Sequence, residues 1–232
     1  IVSDFKPDRF RILDDVFTLE KDRTIGIARE IRRRNLSIEF ECLSRIDCLD
    51  DEMLSELKAS GCYRIWCGVE SGSEKVLQAM RKNVSVDKIK EVARLIHKHE
   101  IEMACFFLAG YPGESREDIT ASLQLIDEIK PDDLSVSIAY PIPGTEFYDQ
   151  VEHLVKRDVG WKHSSQYKPI YKRKYPDLYY KFLRTLILRN WDRKIRLKTA
   201  PIPVKCLNAA QEAGAWLGCQ VISRFGGNRE LE

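Results

Sequence analysis

Short apolar runs alternate with amphipathic helical stretches along the first two thirds of the chain, and this alternation limits the possible folds most. Five runs have β-type patterning: Arg9 to Phe17, Ser37 to Leu43, Tyr63 to Val69, Met103 to Leu108 and Leu134 to Ala139. Between them apolar residues recur at helical spacing, as with Ile25, Ala28 and Ile31 in a helix from about Glu20 to Arg34. Asp50 is placed to cap a helix bearing Met53, Leu54 and Leu57, which Gly61 ends. Ser85 caps another with Val86, Ile89, Ala93 and Ile96 on one face, and Ser115 with Asp118 forms a capping-box start for a third. Strand–helix units recurring roughly every 25 to 40 residues predict a parallel sheet joined by right-handed crossovers. Met103 to Leu108 is apolar throughout, as suits a strand covered on both faces. A closed barrel wants eight units, so five, plus one lost upstream, predict an open partial barrel of the α/β class.

In such sheets ligands bind at the C-terminal strand ends. The unusual sequence lies at those ends: Asp14-Asp15, Ser44-Arg45, Glu70-Ser71, Gly110 to Glu114 and Pro141 to Thr145. The densest stretch is CYRIWCGVESGSEKVLQAMRK at 62–82, a strand, a polar turn and a helix carrying Val76, Leu77 and Met80. A carboxylate, hydroxyls and free N–H groups there suit a small ligand bearing both ammonium and carboxylate charge. The same residues also read as an ordinary strand–turn–helix with Ser71 or Ser73 as N-cap and Glu70 solvated.

The alternation stops after about Val151. Pro176 to Arg196 has Tyr179, Phe182, Leu186 and Arg189 at helical intervals, and a second helix is predicted from Val204 to about Ser223. Residues 1–150 are therefore read as the core and 151–232 as a helical extension, with the boundary near 150 to 175. The net charge of the chain is only +2, yet Glu152 to Lys198 holds fourteen Lys and Arg against four acids. That basic excess reads, in order of preference, as a solvated face, an interface with the acidic remainder, or a weak surface for anionic lipid or substrate. Seven cysteines, several inside apolar runs, predict free core thiols and a reducing, cytoplasmic setting rather than a disulfide framework. No apolar run approaches about 18 residues, so no membrane span is predicted. His97 and His99 read as a solvated helix end without a metal role, and no nucleic-acid-binding motif is present. The chain opens from Ile1 almost directly into a strand, which reads as a piece of something longer.

The ordered set LDDVFT (13–18), SIEFECLSRID (37–47), GVESGSEKVLQAMRK (68–82), FFLAGYPGES (106–115) and PIPGTEFY (141–148) resembles the core domain of radical S-adenosylmethionine (SAM) enzymes. The likeness is to the branch often preceded by a cobalamin-binding domain, which shares its core with methylthiotransferases and oxygen-independent coproporphyrinogen oxidase. It covers about residues 8 to 150. The resemblance implies a partial, TIM-like (β/α)6 barrel lacking its first unit here, followed by the helical extension. It implies SAM and a [4Fe–4S] cluster as cofactors, with cobalamin in an upstream domain as a further expectation. In that family the reduced cluster splits SAM to methionine and a 5′-deoxyadenosyl radical, which abstracts hydrogen in methyl transfer, rearrangement or oxidation. The substrate would be a small or lipid-like molecule, and the electron donor a protein such as flavodoxin or ferredoxin. The family's CxxxCxxC cluster motif is absent from this sequence, so the cluster ligands are expected upstream and the fragment alone is expected to be inactive. The alternatives are a non-catalytic barrel serving as a scaffold, a SAM-binding relative without a cluster, and an ordinary β/α-barrel lyase, which would want a buried lysine or a metal cluster.

The resemblance also implies roles for single residues. Asp14 and Asp15 fall where the family contacts the methionine end of SAM. Glu70 matches a polar position that contacts its ammonium or ribose, with Ser71 as a further ligand or a cap. Lys82, with Arg81 as its neighbour, falls where relatives neutralise the SAM carboxylate. Gly110, Pro112 and Gly113 would give backbone contact to adenine, although the loop also reads as a plain tight turn with Glu114 solvated. Pro143, Gly144 and Thr145 would face the substrate.

Overall fold

The computed structural model describes residues 2–5, 7–155, 171–172, 174–197 and 200–225. Five strands form one sheet in consecutive order: β1 (Phe10–Arg11), β2 (Phe40–Ser44), β3 (Cys62–Glu70), β4 (Glu102–Ala109) and β5 (Asp133–Ile138). The pairings of β1 with β2, β2 with β3 and β3 with β4 are parallel. Helices intervene: α1 (Val2–Phe5), α2 (Lys21–Arg33), α3 (Asp51–Ala59), α4 (Glu74–Ala79), α5 (Val86–Lys98), α6 (Arg116–Ile129) and α7 (Glu146–Val151). Two longer helices follow, α8 (Asp177–Trp191) and α9 (Ile202–Phe225). This is the α/β partial-barrel topology with a helical extension that the alternation predicts. The chain divides into two compact units, residues 1–107 with 120–135, and residues 108–119 with 136–232.

In the first unit, Phe40, Leu54, Leu57, Ile65, Ile89 and Met103 are fully shielded from solvent. Asp50 accepts from Met53 N at 2.8 Å and Ser85 from Lys88 N at 3.1 Å, so both predicted caps form. Gly61 ends α3 at φ +99°, where any Cβ would lie 2.0 Å from the Ile38 carbonyl oxygen. The strand predicted over Arg9 to Phe17 shrinks to the two residues of β1. Asp14 and Asp15 break its alternation with a turn, and backbone pairing to β2 resumes only where Phe17 N donates to Leu43 O. His99 is not the solvated end expected: its side chain is 16% exposed, with Nε2 2.9 Å from Asp51 Oδ1.

In the second unit, Ser115 N donates to Asp118 Oδ2 at 2.8 Å and Asp118 N to Ser115 Oγ at 3.3 Å, completing the capping box. Helix α7 has no counterpart in the sequence reading, because Pro141, Pro143 and Gly144 mask its start; Thr145 caps it, accepting from Tyr148 N at 3.2 Å. A π-helical turn at Asp192–Arg196 ends α8. Most of the predicted boundary at 150–175, and basic residues 156, 157, 162, 168, 173 and 198, lie outside the described residues. Among the described residues, no helix is long and apolar enough to cross a membrane.

Candidate functional site

The C-terminal end of β3 leaves its ladder before the strand stops. Its register with β4 slips between Gly68 and Glu70, and Glu70 takes φ +66°. A non-glycine residue held there costs about 1 to 3 kcal/mol, so the surroundings must enforce it. They do so through Ser71, whose N–H donates to Val69 O at 2.9 Å. The Ser71 side chain is fully buried, its Oγ accepting from Ser73 N at 3.1 Å and meeting Ser122 Oγ at 3.3 Å. Ser122 Oγ in turn accepts from Gly72 N at 2.8 Å. A Cβ on Gly72 would lie 2.4 Å from Ala121 O, so only glycine lets this turn seat against α6. Ser73, rather than Ser71, caps α4 by accepting from Val76 N.

The left-handed turn places the Glu70 carboxylate beside Lys82, with Nζ donating to Oε1 at 3.0 Å. Lys82 is itself set by the end of α4: Arg81 takes φ +54°, and Lys82 N donates back to Leu77 O. The pair lies directly over Gly68, where a Cβ would sit 2.8 Å from Glu70 Oε1 and 3.2 Å from Lys82 Nζ. Both side chains keep part of their surface in water. A cleft of about 260 Å³ opens here, lined among others by Arg45, Asp47, Gly68, Arg81, Lys82 and Asn83. Arg45 holds Asp47 through two bonds of 2.9 and 2.5 Å, and this bond keeps the Asp47 carboxyl below its ordinary range against the opposing effect of burial. The cleft thus combines three cations with one already engaged carboxylate, and Glu70, outside the lining itself, is joined to it through its bond with Lys82. A ligand carboxylate finds cations there, and a ligand ammonium finds Glu70.

Asp14 and Asp15 are not among the residues that line this cleft. Asp14 Oδ2 accepts from Arg23 Nη2 at 3.1 Å, and Asp15 is exposed. Gly68 is the participant the sequence reading lacked; its position two residues before Glu70 was the available signal.

In the second unit, Gly110 and Gly113 take φ +80° and +78°, a region that glycine enters without steric cost. Gly110 N donates to Glu114 Oε2 at 2.6 Å, its carbonyl accepts from Tyr171 Oη at 3.2 Å, and a Cβ on it would meet the Tyr180 ring at 2.7 Å. Glu114 is turned into this loop rather than solvated. Burial pushes its carboxyl up to about 7, with Asp118 adding to the rise and the Gly110 N–H opposing it. Pro112 is exposed. In the loop of Pro143, Gly144 and Thr145, Gly144 takes φ +85° and Thr145 Oγ1 donates to Ile142 O at 2.7 Å. Phe147 of α7 stacks on Tyr111 at 5.1 Å and meets Tyr171 edge-on at 6.0 Å.

Fold and cleft define an α/β partial-barrel protein with a polar cleft beside the C-terminal end of β3. Over residues 4–126 the chain matches the model of the Radical SAM superfamily, and it belongs to that superfamily. It is 26% identical over 164 residues to an uncharacterized methyltransferase of Pyrococcus horikoshii, covering 70% of this chain and 36% of that protein. It is 30% identical over 146 residues to a putative methylthiotransferase of Methanocaldococcus jannaschii, covering 62% and 32%. Among solved structures, the radical S-adenosylmethionine methyltransferase TsrM from Kitasatospora setae, with cobalamin and a [4Fe–4S] cluster bound, shares the fold at TM-score 0.59 and 18% identity, over 66% of this chain and 32% of that one. The chain thus spans about a third of the length of the curated relatives it matches.

Proposed function

We propose that this chain is the SAM-binding part of a radical SAM enzyme that transfers a methyl or methylthio group to a small or lipid-like substrate. The observation that carries the reading is the Glu70–Lys82 pair, held over Gly68 in a cationic cleft at the end of β3. Its charges match the ammonium and carboxylate of an amino-acid ligand, and family membership supports SAM as that ligand. The kinds of transfer proposed follow the relatives, a methyltransferase and a methylthiotransferase.

In this reading Glu70 accepts from the SAM ammonium and Lys82 turns from Glu70 to the SAM carboxylate, aided by Arg81. Ser71 acts from behind, fixing the turn that aims Glu70. By the family's pattern, Gly110, Pro112 and Gly113 would contact adenine through the main chain, Asp14 and Asp15 the methionine end, and Pro143, Gly144 and Thr145 the substrate. Residues 1–150 would form the core and 151–232 an appended helical part, working in the cytoplasm with flavodoxin or ferredoxin as electron donor and cobalamin as the methyl carrier.

The cluster does not fit the residues of this chain. Among the described residues no group of three His, Cys, Asp or Glu side chains could hold a metal. Cys42, Cys62, Cys67 and Cys105 are buried core thiols; burial raises Cys67 and Cys105, and Cys62 is raised first by its bond to Cys42. The thiolates would come from residues outside this chain. When bound beside such a cluster, SAM supplies the radical chemistry of the family; these residues orient it and hold its charges.

Calorimetric titration of SAM into the complete protein tests the assignment. Glu70→Gln and Lys82→Met should each weaken binding by roughly ten- to hundredfold, the loss expected for a charge-assisted bond. Unchanged affinity in both variants would remove the pair from the site.

A further inference from the structure

Helix α9 departs from an ordinary surface helix, for beside the small buried residues Ala215 and Cys219 it turns polar groups inward. Its inward side carries Asn208, 3% exposed, whose amide has no hydrogen-bond partner among the described residues. Its only acid, Glu212, also turns inward, accepting from Arg193 Nε at 2.6 Å and from Asn190 Nδ2 at 3.1 Å. The outward side is apolar. Leu207, Trp216, Leu217 and Val221 are each more than half exposed, and Ile202 is 75% exposed at the helix start. Of the twelve exposed large apolar residues among the described residues, six lie on this helix, so the exposure is concentrated and not a scatter of single side chains.

The C-terminal end of this apolar face runs into a basic cleft of about 370 Å³, lined by Arg116, Gln220, Val221 and Arg224. Val221 belongs to both surfaces. Arg116 donates to Gln220 Oε1 at 3.2 Å and to Ser223 Oγ, which sets its guanidinium at the cleft, while Arg224 is exposed. The charged residues that line this cleft are both cations, and the one acid of α9 is engaged on its inward side.

We propose that the outward face of α9, with the Arg116–Arg224 cleft, docks on the surface of an anionic phospholipid bilayer. The occupant follows from charge complementarity joined to apolar area. A bilayer offers hydrocarbon to Trp216, Leu217 and Val221 and phosphate oxygens to the two arginines in one plane. A second copy of this chain would bring like charges against the same cleft. A helix of 24 residues is about 36 Å long. It is not apolar enough to span, so it lies along the interface, with Trp216 at headgroup depth. This inference stands apart from the SAM assignment, and either can fail alone.

Flotation of the complete protein with phosphatidylcholine vesicles, made with and without phosphatidylglycerol, tests it. The protein should float only with the anionic vesicles, and added salt should release it. Arg116→Gln and Arg224→Gln should each weaken partition about fivefold. The double variant Leu217→Glu, Val221→Glu should abolish it with helical circular dichroism unchanged, since both positions are exposed. Equal flotation with neutral vesicles, or none with anionic ones, overturns the proposal. So does release of the wild type by inorganic phosphate at an ionic strength where chloride does not release it, which would assign the cleft to a free anion. A dimer that the double glutamate variant converts to monomer, with flotation unaffected, would assign the face to a second copy.

Discussion

Glu114 makes the stability of this protein depend on pH in a way that one substitution should remove. Its carboxyl titrates near 7 in the folded chain against an ordinary value of 4.5, because burial disfavours the anion and Asp118 stands nearby. Only the Gly110 N–H, 2.6 Å away, favours the charged form. An acid raised on folding is neutral and harmless at low pH. As pH climbs from 4.5, the unfolded chain releases the proton while the folded chain still holds it, so stability falls until the folded group titrates near 7 and then stays level. At about 1.4 kcal/mol per pH unit, the loss across that window reaches roughly 3 kcal/mol. Glu114→Gln keeps an acceptor for Gly110 N and abolishes the charge. Urea unfolding should therefore find variant and wild type alike at pH 4 and the variant more stable by up to about 3 kcal/mol at pH 8. A carbon-13 titration of the Glu114 carboxyl should give a midpoint near 7. A midpoint near 4.5, or an equal pH dependence in wild type and variant, would refute the argument.

Two further substitutions probe the frame that holds the site. Gly72→Ala would force a Cβ to within 2.4 Å of Ala121 O and 2.6 Å of Ser122 Cα, both backbone atoms, and should cost about 3 kcal/mol in thermal unfolding; a loss below about 0.5 kcal/mol would mean the turn can lift away from α6 freely. Asp50→Ala removes the α3 cap and should cost about 1 kcal/mol by urea unfolding, whereas no loss would place the start of α3 under the control of packing alone.

The strands that were legible were those whose patterning is carried by burial. Met103 to Leu108 sits inside β4, Tyr63 to Val69 inside β3, and Asp50 and Ser85 cap where their spacing places them. Short edge pairing was not legible: β1 keeps two residues because Asp14 and Asp15 turn away, which an alternation count does not register. Glu70 and Lys82 were both marked as ligand positions, but their contact was not foreseen. It depends on left-handed backbone at Glu70 and Arg81, where side-chain type gives little warning. The inward turn of Glu114, the burial of Ser71 and the engagement of His99 depend on neighbours distant in sequence or on loop geometry. The inward polar groups of α9 were hidden for the same reason, since its few polar residues show no preferred side until α8 is placed.

The turn after β3 is built from residues whose smallness is used in full. Gly68 leaves room for an ion pair, Gly72 for a neighbouring backbone, and Ser71 fills a buried hydrogen-bonding position. A side chain at Gly72 would run into backbone, whereas one at Gly68 would meet only the flexible ends of Glu70 and Lys82, so an engineer seeking a new ligand for the cleft must keep Gly72. Arg45 and Asn83 line the cleft from other segments and are the positions open to change. Libraries placed there can alter charge and shape while the turn at Gly72 keeps its seat against α6.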